Sequence, residues 1–168
     1  MTSHFLSGYP KDLQWSDFTS KETPPVKGYT AFTYTTYTET RRVVKKSEDG
    51  DYFLCTKLTI AVNVDKAKSW VLKSAKSKEL LKHEQGHFDI VGIAAKHVLE
   101  IISSEQAETK AGLYKKIQKA YRKAQKMIDN INESYDTETD HGLDTGNQIL
   151  WNERLAKWKK NGLSWQIK

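Results

Sequence analysis

Cysteine is almost missing from this chain: Cys55 is the single one among 168 residues, so no intrachain disulfide can form and the redox compartment stays open. Its setting, YFLCTKLTI, reads as strand, which makes Cys55 a core thiol before it makes it a nucleophile. Arginine is scarce as well, at positions 41, 42, 122 and 154 only. Bidentate recognition of phosphates and base edges favours arginine. The excess of 27 Lys and Arg over 21 Asp and Glu, net +6, therefore reads as lysine solvating helix faces and not as a nucleic-acid surface. Many of those lysines fall in Lys66–Lys82 and Lys110–Lys126. No apolar run approaches the roughly 20 residues of a transmembrane span, and residues 1–20 lack the basic start and apolar middle of an export signal. A signal removed ahead of Met1 would leave the same text, so this lack does not assign a cytosolic home.

What is present divides the chain into strands first and helices afterwards. The expectation is one α+β domain over residues 1–168, with a sheet over about 29–64 and a helical part over about 66–160. The first 28 residues, with TPPVKG, read as irregular chain entering the sheet. YTAFTYTTYTETRRVVKK (29–46) is rich in Thr, Tyr and Val and suits strand. Asp49-Gly50 suits a two-residue hairpin turn with positive φ at both centres. On the return strand, Leu58, Ile60, Val62 and Val64 alternate with Lys57, Thr59, Ala61 and Asn63, giving one buried face and an antiparallel hairpin. Ser77 is a candidate N-cap for a helix that is apolar nearly all round after Phe88, and hence central. A second helix is expected over about Glu108–Asn132, then a polar loop, ESYDTETDHGLDTG. A third runs over about Asn147–Lys159 with Leu150 or Trp151, Leu155 and Trp158 inward.

The chemistry lies in LLKHEQGHFDIVG (80–92). On a helix, His83 and His87 project from one face a turn apart and can hold one small ion together. Glu84 sits about 100° round from His83, near enough to take a proton from a metal-activated water without being a ligand. The pattern arises by accident in roughly one chain of this composition in a hundred. Its position, where a polar helical half passes into an apolar one, makes two imidazoles and a carboxylate costly unless a metal satisfies them.

A catalytic zinc site needs a third protein ligand. His97 lies about 15 Å further along the same helix and is excluded unless Gly92 breaks it; His4 belongs to the terminus. His141, in the polar loop beside Gly142, is the preferred third ligand, with Glu133, Glu138 or another loop carboxylate competing. Tyr135 can donate to an oxyanion or simply pack the loop. Trp15 and Phe18 are expected to pin the N-terminus, with Asp17 capping a turn.

LQWSDF, KSWV, LLKHEQGHFDI, and YDTETDHG followed by QILWN, spread from Trp15 to Trp151, resemble a bacterial family described as predicted secreted zinc-dependent proteases and long listed as a domain of unknown function. The resemblance implies a zincin-like fold with the HExxH pattern on the central helix, one zinc per chain, His83 and His87 as ligands and Glu84 as catalytic carboxylate. It places His141 as third ligand and implies an extracytoplasmic location.

Two functions follow. One is a zinc metallopeptidase acting on a peptide, a protein or a cell-envelope component. The other is a non-catalytic zinc-binding domain that docks a protein partner or a cell-envelope polyanion.

Overall fold

The computed structural model describes residues 2–163. Its order is β1 (Ser3–Ser7), β2 (Thr19–Lys21), β3 (Ala31–Phe32), β4 (Thr35–Lys46), β5 (Phe53–Val64), β6 (Trp70–Leu72), α1 (Lys78–Ser104), β7 (Gln106–Ala107), α2 (Lys110–Thr139) and α3 (Thr145–Asn161). This is an α+β fold.

The long β4–β5 hairpin is antiparallel, as its alternation predicts, and Leu58, Ile60 and Val62 are buried. A bulge between Val43 and Val44 leaves Thr56 unpaired, so Cys55 turns to the same buried side as Leu58. The hairpin turn is longer than expected. Ser47 N donates to Tyr52 O, Gly50 N donates to Ser47 O, and only Gly50 of the expected pair has positive φ.

The sheets are mixed and not purely antiparallel. The first 21 residues, expected to be irregular, supply two parallel partners: β1 lies beside β5, and β2 lies beside β6. His4 is held there, its Nε2 2.9 Å from Cys55 O. Trp70–Leu72, inside the stretch expected to begin the helical part, is the centre of the second sheet, ordered β2-β6-β3. Local pattern misses such short strands because their partners are remote in sequence. The LQWSDF segment behaves as expected: Phe18 is buried, Trp15 packs edge-on to it, and Asp17 accepts from Gln14 N.

Helix α1 starts at Ser77, whose hydroxyl accepts from Leu80 N. It contacts β1, β4 and β5 as well as α2 and α3. Its second half, from Phe88 to Ile102, forms the core with Leu113, Ile117 and Ile131 of α2. Gly92 does not break it. The Tyr9 ring lies so close that a Cβ there would sit 2.2 Å from Tyr9 Cδ2, so this glycine serves close packing. Among the described residues no helix is long and apolar enough to cross a membrane.

The expected fourteen-residue loop is mostly helix. Ile128, Ile131, Tyr135 and Thr139 are buried at helical spacing, which carries α2 seven residues beyond Asn132 despite the polar composition. Asp140 and His141, both with positive φ, and Gly142 end it. Asp144 then caps α3, whose inner stripe is Trp151, Leu155 and Trp158.

Candidate metal centre

The extension of α2 brings Asn132 and Asp136, one turn apart, opposite the α1 histidines. His83 Nδ1 lies 3.0 Å from Gln148 Oε1 of α3, and His87 Nδ1 lies 2.8 Å from Asn132 Oδ1. Each Nδ1–H thus donates to an amide oxygen, which turns both Nε2 lone pairs toward the same point. The two Nε2 atoms are 3.2 Å apart, and Asp136 Oδ1 sits 3.2 Å from His83 Nε2 and 3.0 Å from His87 Nε2. Three electron-pair donors face one another.

That arrangement is repulsive without a cation. Asp136 Oδ1 is buried yet lacks a hydrogen bond of acceptable geometry, even with two ring nitrogens this near. Ligands about 2.0–2.1 Å from a tetrahedral zinc stand about 3.3 Å from one another, so the observed separations match a site closed around one small ion. His83, His87 and Asp136 therefore fit a metal, and two imidazoles with one carboxylate is a donor set of catalytic zinc. In the metal-free chain a proton takes the same role. Burial alone would lower the His87 pKa, but Asp136 and Glu84 outweigh it and raise it to about 9. Burial alone would raise Asp136, yet the two imidazoles hold it far below the usual carboxylate range.

Glu84 is 3% exposed, lines the cavity beside the cluster, and accepts a hydrogen bond from Thr33 Oγ1 through Oε2. It is not one of the three clustered donors. The cavity, about 810 Å³, opens between β3, α1, α2 and the turn at 140–143.

Of the two roles open to Tyr135, oxyanion donor or packing, its contacts match packing. Its hydroxyl donates to His83 O at 3.0 Å and accepts from Gln148 Nε2 at 2.8 Å, and its ring stacks on His83 at 4.7 Å. It is fully buried behind the histidine, and burial raises its pKa further. Gly86 makes that approach possible, since a Cβ there would lie 2.2 Å from the Tyr135 hydroxyl. Tyr135 is a positioning residue.

His141 stands beside the cluster without entering it. Its Nδ1 is 3.7 Å from Asp136 Oδ1, its side chain is 47% exposed, and its ring meets Tyr29 edge-on at 5.1 Å. Asp136 holds the third place expected for His141. Of the competing carboxylates, Glu133 is exposed, and Glu138 accepts from Trp151 Nε1. His97 stays on the unbroken helix beyond the cluster. Asp136 is one of the loop carboxylates left open as third ligand, though not one of those named; Asn132 and Gln148 were the residues sequence reasoning missed. The buried spacing Ile128-Ile131-Tyr135-Thr139 was the signal that could have placed Asp136 and Asn132 on α2.

A profile described as a bacterial protein of unknown function, DUF922, matches residues 16–142. The chain belongs to the DUF922 family. No curated protein and no solved structure matches it. The DUF922 match takes in His83, Glu84, His87, Asp136 and His141, and ends before Gln148, which α3 contributes to the same centre.

Proposed function

We propose that this DUF922 protein is a zinc-dependent hydrolase acting on an amide bond, most simply a peptidase. The observation that carries the reading is Glu84: a buried carboxylate in the cavity wall beside a complete three-donor set, which a purely structural metal site does not need. Zinc, when bound, supplies polarisation of a carbonyl and a lowered pKa for water. The protein's own residues do the rest. Gln148 and Asn132 fix the tautomers of His83 and His87, and Tyr135 braces the His83 ring from behind. Thr33 holds one oxygen of Glu84, leaving the other to accept a proton from the attacking water and pass it to the leaving amine. The cavity side of the cluster admits substrate, while the opposite side is closed by Tyr135 and Trp151.

The same donors suit ferrous iron, so metal analysis comes first. Protein purified without chelator should hold about one zinc per chain. Glu84→Gln should keep the metal and the fold while cleavage of denatured proteins and mixed peptides falls by about 10²-fold or more. Identical products from wild type and Glu84→Gln, or iron in place of zinc, would overturn the hydrolase reading. The extracytoplasmic location belongs to the same proposal. The reading frame ahead of Met1 should encode an apolar segment and a small-residue cleavage site, and a native start at Met1 without one would refute it.

A further inference from the structure

The chain carries a net charge of +6, yet among the described residues no Lys or Arg lines the 810 Å³ cavity. Five carboxylates do: Glu79, Glu84, Asp129, Asp136 and Asp140. A divalent ion balances Asp136 and Glu84. Glu79, Asp129 and Asp140 remain around the mouth, all exposed, and none has a salt bridge among the described residues. Asp129 is placed by the register that places the metal ligand: it lies two turns before Asp136 on the same face of α2. A cleft of one sign with low-dielectric walls concentrates the field, so this mouth attracts cations and repels anions in a protein whose outer surface does the reverse.

A second set of residues brackets those charges. Val26, Phe32 and Leu143 line the mouth with 53%, 44% and 77% of their surfaces exposed. Bulky apolar groups gathered at a cavity rim mark a surface that receives another apolar group. The cleft is also long. A further cavity of about 630 Å³, where Glu39 and Arg122 offset one another, shares Tyr34, Thr35, Val91, Gln125 and Ile128 with the first and carries the groove past the metal centre along α2 and β4.

Resting on the hydrolase reading, we propose that the substrate is a polypeptide segment that carries lysine or arginine together with a bulky apolar residue beside the bond to be cut. Glu79, Asp129 and Asp140 select the cation, and Val26, Phe32 and Leu143 receive the apolar side chain. Anionic substrates are repelled from this cleft.

The test measures binding separately from cleavage. Zinc-loaded full-length Glu84→Gln protein is titrated with fluorescent peptides that share a Phe or Leu and differ only in a neighbouring Lys, Gln or Glu. The Lys peptide should bind about tenfold more tightly than the Glu peptide, with the gap shrinking as salt is raised. Adding Glu79→Gln, Asp129→Asn and Asp140→Asn should bring the two within about twofold, with zinc content unchanged. These side chains are exposed, and asparagine accepts the positive φ at 140, so folding is preserved. Equal affinities before neutralisation, tighter binding of the Glu peptide, a preference that survives neutralisation, or no peptide bound at all would each overturn the inference. A charge preference without cleavage by wild type removes the hydrolase reading, and the substrate with it, and leaves the cleft as a binding site for such a segment. Cleavage indifferent to charge does the reverse.

Discussion

Helices α1 and α2 meet twice, and the two meetings are held by different physics. Toward the end of α1, Val98 and Ile102 pack with Leu113 and Ile117, all fully buried. Toward its start, His83 and His87 meet Asn132, Tyr135 and Asp136 through a hydrogen-bonded set. The first contact is stabilised by area, about 1.5–3 kcal/mol for each buried aliphatic side chain, and tolerates changes that preserve volume. The second works only if each buried polar group finds its partner, and one carboxylate oxygen finds none without a cation. The apolar end therefore carries stability, and the polar end carries a site.

Exchanging what each end lacks tests that division. The largest effect belongs to Asp136→Ala, which removes one of the three clustered donors and should weaken zinc binding about 10³-fold or more, whereas His141→Ala should cost about tenfold or less. Equilibrium dialysis against a zinc indicator compares them, and equal losses would put His141 in the metal's coordination shell. Next is Ile102→Ala at the apolar end. It should lower unfolding free energy by about 2–5 kcal/mol, read by denaturant titration, and leave zinc stoichiometry at one. Loss of metal in that variant would show that the two ends are coupled.

Smaller effects belong to the residues that orient the histidines. Gln148→Ala and Asn132→Ala should each reduce zinc affinity about 10–100-fold without changing the ligand set. The last effect is in pH dependence. His87 in the metal-free chain has its pKa raised to about 9 from 6.5, so its contribution to stability is full below about pH 6.5 and is lost as pH rises through about 9. Thermal melts of metal-free protein should drop across that window, and zinc-loaded protein, with no proton there to lose, should show no such drop.

The β4–β5 hairpin, the capped start of α1 at Ser77 and the shared face of His83 and His87 could be read from the sequence, because each depends on residues a few positions apart. The same local signals misjudged 133–139. Seven residues that include three acids read as loop, although Tyr135 and Thr139 extend the buried stripe of α2. Polar composition outweighed spacing in that reading, so Asp136 stayed one unnamed loop carboxylate among several.

Sequence alone determined two imidazoles and a carboxylate one turn apart on a central helix, since helical period is a property of the chain itself. Which third donor meets them, and which amides turn their rings, depended on how α2 and α3 lie across α1. That packing is set by Gly86 admitting Tyr135 and Gly142 fitting against His83, close approaches between residues 49 and 59 positions apart that no local pattern encodes.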